Sequence, residues 1–264
     1  MSNEELYIFK VGGNVIENDR KLDDFLTSFS ALNAKKILVH GGGKVATKMA
    51  AEMGIEATLI EGRRVTDKAM LDIVTMAYGG KVNKQITAKL LARNQKAVGI
   101  AGFDGGLLRS VKRPVKDDID YGFVGDIVAS NSCLIETLTA ASFVPVIAPL
   151  TADSSGQILN TNADTIASEL ATILLKTHQV KLVYVFELAG VMGDLNDEKT
   201  LIKNITRENY SSLKDAGIIK DGMIPKLDNA FNAIDKGVSE VSIIHYSKIN
   251  ELENITFDGY TRIK

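Results

Sequence analysis

Tryptophan is absent, cysteine occurs once, at Cys133, and proline and histidine number 4 and 3 in 264 residues. A lone cysteine excludes an internal disulfide, so the fold must be held by its own core, and a reducing compartment is expected. Cys133 falls in an apolar helical pattern, where burial rather than nucleophilic chemistry is the expectation. His40, His178 and His245 stand apart without ligand spacing, so no metal site is expected. Aromatics make up 6%, too few for stacking platforms that hold single-stranded nucleic acid. A net charge of −2 gives no basic excess for a phosphate backbone. No apolar run reaches the ~20 residues that span a bilayer. The start, Met1-Ser2-Asn3-Glu4-Glu5, is polar and acidic, unlike a secretory leader. A cytoplasmic protein without nucleic-acid or membrane partners is expected.

What the chain does have is glycine placed after strands. Lys36-Ile37-Leu38-Val39 is a short apolar run that ends in His40-Gly41-Gly42-Gly43-Lys44. A helical pattern from Val45 to Met53 follows at once and stops at Gly54. Strand, glycine loop and helix start together make an anion site, because glycine admits close backbone approach and the first helical N–H groups point at negative charge. The loop fits neither G-x-x-x-x-G-K-[ST] nor G-x-G-x-x-G, and by itself it also reads as a tight structural turn. A second strand-like run, Tyr7-Ile8-Phe9-Lys10-Val11, leads into Gly12-Gly13-Asn14. Lysine is rare in a strand covered on both faces. At the carboxyl end of a parallel strand its ammonium lies where open α/β sheets bind ligands. The pair of loops suggests a pocket for an anionic, phosphorylated species.

Strand and helix patterns alternate. Strands are expected at 6–11, 36–39, 97–102, 143–149, 181–188 and 240–246. Helices are expected at 20–32, 44–53, 67–78, 81–94, 131–141, 163–177, 207–216 and 226–236. Met70, Ile73, Val74 and Ala77 share one face of the helix after Thr66, and Thr66 suits its N-cap. Nearly continuous apolar strands such as Lys181–Phe186 suit a parallel sheet buried on both sides. The fold class expected is α/β, a three-layer α/β/α sandwich with an open, mainly parallel central sheet. Residues 107–126 interrupt the alternation with Arg109, Lys112, Arg113 and Lys116, then Asp117, Asp118 and Asp120. They read as one or two hairpins projecting from the sheet edge, as a lid, a pocket wall or a solvated excursion.

Further clusters carry possible chemistry. In Gly62-Arg63-Arg64-Val65-Thr66-Asp67 a guanidinium suits a bidentate carboxylate clamp, although a surface arginine pair is often only solvated. Leu159-Asn160-Thr161-Asn162-Ala163-Asp164 offers either helix caps or amide donors with a carboxylate. In Lys220-Asp221-Gly222-Met223-Ile224-Pro225-Lys226, a lysine at a helix start opposes the macrodipole unless an anion sits there.

The ordered set Lys10-Val11-Gly12-Gly13, His40-Gly41-Gly42-Gly43, Gly62-Arg63-Arg64-Val65-Thr66, Asn160-Thr161-Asn162-Ala163-Asp164 and Asp221–Lys226 resembles the amino acid kinase family, in its branch acting on N-acylated glutamate. The resemblance runs over almost the whole chain. It implies one domain, residues 1–264, with an acyl-substrate and dimerisation lobe to about 165 and a nucleotide lobe from about 166. It implies transfer of the γ-phosphoryl of ATP to the side-chain carboxylate of N-acetyl-L-glutamate, in arginine biosynthesis, with Mg²⁺ carried on the ATP. It implies that Lys10 and Lys226 neutralise the phosphoryl in flight while Asp164 orients both. Gly13, Gly42 and Gly43 would hold the reacting groups through backbone N–H, and Arg64 and Asn160 would fix the substrate α-carboxylate. Glu187, Leu188, Ala189, Gly190, Val191 and Met192, with Ile218, Ile219, Lys220, Asp221, Gly222, Met223 and Lys226, would surround the nucleotide. A homodimer without arginine inhibition is implied, because the strand beginning near Leu6 leaves no room for the N-terminal helix of arginine-inhibited members.

The chain departs from the family pattern at Glu187-Leu188, where Asp-Val is usual, and at Arg63, where an apolar residue is usual. Arg63 can face water or an acidic neighbour, which goes with the acetyl substrate. A desolvated Arg63 guanidinium beside Arg109, Lys112 and Arg113 would instead favour a dicarboxylic acyl group, which makes N-succinyl-L-glutamate a second candidate substrate. Within the same family, carbamate, glutamate, aspartate or UMP could serve as acceptor instead. A non-catalytic amino-acid or nucleotide sensor would also use such a pocket.

Overall fold

The structure is a computed structural model that describes residues 4–60, 62–194, 197–219 and 223–264. In chain order it begins with β1 (Glu4–Val11), α1 (Gly13–Glu17), α2 (Asp19–Ala31), β2 (Lys35–His40) and α3 (Gly43–Glu52). Next come β3 (Leu59–Ile60), β4 (Arg63–Arg64), α4 (Lys68–Val74), a π-helical segment (Thr75–Val82) and α5 (Asn83–Leu91). The middle holds β5 (Ala97–Ala101), β6 (Leu108–Lys112), β7 (Gly125–Ser130), α6 (Cys133–Ala140), β8 (Val144–Ala148), β9 (Leu150–Ala152) and β10 (Ile158–Asn160). The remainder is α7 (Ala163–Ile173), β11 (His178–Phe186), β12 (Asn204–Ile205), α8 (Arg207–Asp215), α9 (Met223–Asp235), β13 (Glu240–His245) and β14 (Thr261–Ile263).

The chain divides into two compact units. The first combines the segment up to Ile37 with Ala167–Lys264, and the second is Leu38–Ile166. In the first, the strand order is β12-β14-β13-β11-β1. β1 runs parallel to β11, with Lys10 opposite Tyr184, and β11 runs parallel to β13. Leu6, Ile8, Phe9 and Val11 are all fully buried, which requires cover on both faces of β1. Each such side chain contributes roughly 1.5–3 kcal/mol relative to exposure. Helix α2 supplies part of that cover. Asn18 caps it by accepting from Lys21 N at 3.1 Å, and its apolar face is Leu22, Phe25, Leu26 and Phe29. Phe29 packs edge-on against Phe9 with centroids 5.2 Å apart. Lys36 closes the other end of α2, donating to Phe29 O (2.7 Å) and Leu32 O (2.5 Å).

In the second unit, β2 pairs parallel with β8, and β8 with β5. A separate sheet has the order β10-β9-β6-β7, with β6 and β7 antiparallel and a bulge between Arg109 and Ser110. The stretch within 107–126 does form a hairpin, β6 to β7 with the acidic residues in its connection, but in a separate sheet rather than at the edge of the main one. The core lies between α3, through Ala46 and Ala50, and Met70, Leu71, Ile73, Val74, Ala77 and Tyr78. Both units flank parallel strands with helices, so the α/β sandwich expected from the sequence holds.

Three local expectations are corrected. The helix after Thr66 is capped by Asp67, whose Oδ1 accepts from Met70 N at 2.8 Å, while Thr66 Oγ1 donates to Arg64 O. Asp67 wins because its acceptor reaches the third residue on, the usual N-cap geometry. Cys133 is exposed, because it opens α6 on the side away from buried Ile135. The break expected at Gly79-Gly80 does not occur. The helix continues through a π-helical stretch, Thr75–Val82. Met70, Val74, Tyr78, Val82, Ile86 and Leu90 are all buried, and each is four residues from the next. In an α-helix a step of four overshoots one turn by about 40°, so a stripe this long would wind away from the core. The wider i→i+5 turns offset that drift and keep the stripe inward.

Candidate active site

The glycine loop of the second unit is the candidate anion site. Strand β2 ends in His40, fully buried. Asn83 Nδ2, which can only donate, meets His40 Nε2 at 3.1 Å, so Nε2 accepts and Nδ1–H donates to Gly41 O at 2.7 Å. Burial pushes the imidazole down to about 4, so it stays neutral and rigid. Asn83 also donates to Val146 O at 2.9 Å. Gly42 is the N-cap residue of α3 and has no side chain to cap it, and the first N–H groups of such a helix start suit an anion.

Arg64 stands over this loop from β4. Its side chain is buried, with residue exposure of 9%, and Nη2 donates to Gly43 O and to Thr47 Oγ1, both at 2.7 Å. Asn160, on β10, donates through Nδ2 to Thr66 Oγ1 at 3.0 Å, and Thr66 Oγ1 donates to Arg64 O at 3.2 Å. Residues 121–123 lace the two together: Thr66 N donates to Tyr121 O, Phe123 N to Thr66 O, and Asn160 N to Phe123 O. Gly122 has φ +71°, and a Cβ there would lie 2.2 Å from Thr66 O, so only glycine fits. Part of the 107–126 segment thus does wall the Arg64 and Asn160 site. Asp164 lies in the first turn of α7 and is buried. Asn162 Oδ1 accepts from the N–H of Asp164 (2.7 Å) and of Thr165 (3.1 Å).

Arg63, next to Arg64, is exposed. Arg113 pairs with Asp126 at 2.6 Å and lies 5.6 Å from the Tyr121 ring. Lys112 reaches Asp120 at 3.7 Å, and Arg109 is exposed. Arg63 thus faces solvent, the first of the two readings, and the neighbouring basic residues are neutralised locally or exposed.

The first unit holds the other predicted residues. Lys10 is half-buried near the carboxyl end of β1, and Gly13 opens α1. Glu187, just past β11, accepts from Asn14 Nδ2 at 2.7 Å and pairs with Lys21. Leu188 is exposed, whereas Val191 and Met192 are buried. Val191 N donates to Thr261 Oγ1 at 2.8 Å, which ties this loop to β14. Ile218 is half-buried and Ile219 buried. Lys220, Asp221 and Gly222 lie outside the described residues. Lys226 sits in the first turns of α9, which begins at Met223, with its ammonium 5.8 Å from the Phe186 ring centroid. Lys10 and Lys226 belong to the first unit and Asp164 to the second. Among the described residues no three His, Cys, Asp or Glu side chains gather as a metal site, and no helix is long and apolar enough to cross a membrane.

Sequence reasoning missed Thr47, Thr66, Tyr78, Asn83, Asn14 and Lys21 as site-building residues. Only the four-residue spacing through Tyr78 and Val82 gave a readable signal.

The sequence profile of the Amino acid kinase family matches residues 5–245. A protein named acetylglutamate kinase from Cytophaga hutchinsonii is 51% identical over 251 residues, 95% of this chain and 95% of its own length. Another of that name, from Phocaeicola vulgatus, is 51% identical over 248 residues, 94% of this chain and 96% of its own. Among solved structures, smu.665 from Streptococcus mutans UA159 aligns with a TM-score of 0.77 at 25% identity, covering 98% of each chain.

Proposed function

The chain belongs to the amino acid kinase family, and from that premise we propose that it phosphorylates N-acetyl-L-glutamate with ATP, a step of arginine biosynthesis. A side-chain carboxylate oxygen attacks the γ-phosphorus, the bond to the β–γ bridging oxygen breaks, and ADP leaves with that electron pair. The products are N-acetyl-L-glutamyl 5-phosphate and ADP. The carboxylate is ionised at neutral pH, so no general base is needed, and catalysis rests on positioning and charge neutralisation.

The observation that carries this reading is a hydrogen-bonded cluster of the second unit suited to a carboxylate. A buried guanidinium, an amide and a glycine-loop helix start are fixed to one another by hydrogen bonds. Arg64 and Asn160 hold the α-carboxylate. The N–H groups of Gly13, Gly42 and Gly43 hold the reacting oxygens. Lys10 and Lys226 neutralise the moving phosphoryl, with Asp164 orienting them. Residues 187–192 and 218–226 receive the nucleotide, which enters as its Mg²⁺ complex. The names of the relatives at 51% identity support acetyl as the acyl group. The family resemblance supports a cytoplasmic homodimer with a substrate lobe to about 165 and a nucleotide lobe beyond it.

The test is ADP release measured with N-acetyl-L-glutamate, N-succinyl-L-glutamate, glutamate, aspartate, carbamate and UMP at equal concentration. Acylated glutamate should turn over at least ~100-fold better than the free amino acids. Equal or better turnover of a non-acylated acceptor would overturn the assignment.

A further inference from the structure

The π-helical segment places one side chain against both halves of the clamp. Tyr78 is 5% exposed. A Cβ added to Gly42 would lie 2.8 Å from Tyr78 Cδ1 and 3.1 Å from Cε1, but an ordinary 3.6 Å from Val82 Cγ2. The ring is therefore the surface on which the glycine loop rests. At its far end the hydroxyl, raised by burial, lies under the influence of the Arg64 charge, which pulls it back down. Arg64 in turn donates to Gly43 O and Thr47 Oγ1. The loop thus rests on the Tyr78 ring and is bonded to the guanidinium whose charge acts on the Tyr78 hydroxyl.

We propose that Tyr78 is a positioning residue of the substrate clamp, its ring setting the height of the Gly41–Gly43 loop and its hydroxyl fixing the rotation of the Arg64 guanidinium. This rests on the reading that Arg64 holds the substrate α-carboxylate. A guanidinium with several donors and a flexible stem chooses its orientation by the acceptors around it. Gly43 O and Thr47 Oγ1 fix one nitrogen. The phenol oxygen supplies a further fixed acceptor, so the planar fork is set before substrate arrives, and less ordering remains to be done on binding. Burial raises the hydroxyl above its ordinary value of 10 while Arg64 pulls it back, so the group stays neutral across the working range. Phenylalanine would keep the floor and lose the acceptor. Leucine would lose both.

The test separates floor from acceptor. Tyr78→Phe should raise the KM for N-acetyl-L-glutamate about tenfold, the usual effect of losing a hydrogen bond to a charged group. Its kcat, its KM for ATP and its Tm should stay within about twofold, twofold and 3 °C. A purely structural tyrosine would move Tm and both KM values together. For the floor, Gly42→Ala should cost at least tenfold in kcat/KM with Tyr78 present, and much of that loss should return in the double variant with Tyr78→Leu, where the added methyl has room. An unchanged KM for N-acetyl-L-glutamate in folded Tyr78→Phe overturns the acceptor role. A Gly42→Ala loss equal in both backgrounds overturns the floor role. Arg64→Ala serves as reference. If it raises that KM and Tyr78→Phe does not, the clamp stands and this inference fails. If Arg64→Ala leaves that KM unchanged, the clamp reading itself falls, and the Tyr78 role falls with it.

Discussion

The two units solve different problems with different materials. The second unit buries its candidate site residues: Arg64, His40, Asn83 and Tyr78 are buried, and Arg64 and Asn83 are committed to named backbone or hydroxyl partners. The first unit presents its chemistry near strand and helix ends. Lys10 is half-buried there, and Lys226 lies in the first turns of α9, while Leu188 is exposed and Glu187 pairs with Lys21 at the surface. Recognition of a small carboxylate profits from a fork locked in advance. A charge needed only while a phosphoryl is in flight must stay polar and adjustable. On the function proposed above, the ground-state clamp falls to the second unit and the two phosphoryl-neutralising lysines to the first, with Asp164 of the second unit serving both.

The sharpest way to break that division is to remove a lysine. Lys10→Ala or Lys226→Ala should lower kcat by about 10²–10³ while leaving the KM for acylated glutamate within about threefold and the fold intact by circular dichroism. Near-normal kcat would dissolve the distinction.

The second unit's rigidity has a pH signature. His40 ordinarily titrates at 6.5 and is pushed down to about 4. Between those values the unfolded chain takes up a proton that the folded chain refuses. The stabilisation is whole above about 6.5 and drains away as pH falls toward 4, by about 3 kcal/mol in total. Urea midpoints for wild type and His40→Gln should converge or cross as pH is lowered through this window. Parallel curves would mean that His40 protonates freely.

Arg64→Ala should raise the KM for acylated glutamate about ten- to a hundredfold and that for ATP less than twofold. A larger effect on ATP would transfer Arg64 to the nucleotide side and blur the division of labour. Smallest of all is Arg63→Leu. Its guanidinium is exposed, so kcat/KM for N-acetyl-L-glutamate should change less than about threefold. A larger change, or one confined to N-succinyl-L-glutamate, would show that this surface arginine reaches the acyl group.

Much of the fold was legible because it is local. Apolar runs marked β1, β2, β8, β11 and β13, and glycines after strands marked the loops. Arg64 and Asn160 were readable as residue types. What holds them was not. Thr66 and Asn160 are 94 residues apart in sequence, His40 and Asn83 are 43 apart, and hydroxyls and amides have no periodicity to betray a partner. Thr66 was misassigned as a cap because Asp67, one residue on, carries the same chemistry. The Gly79-Gly80 pair suggested a break because glycine weakens helices on average, yet buried residues before and after it keep the helix continuous. Cys133 was misplaced for a similar reason: an apolar pattern announces a buried face without saying which residue sits on it.

The π-helical segment makes chain length itself a determinant of the site. Removing one residue between Thr75 and Val82 would let the helix close i→i+4 bonds throughout, a sounder helix by local standards. Everything before the deletion would then turn by about 100° against everything after it, and Tyr78 and Val82 could no longer face the glycine loop together. A scan of substitutions would leave this dependence unseen. It belongs to the spacing of the gene rather than to the identity of any codon, and a one-codon deletion is the change that exposes it.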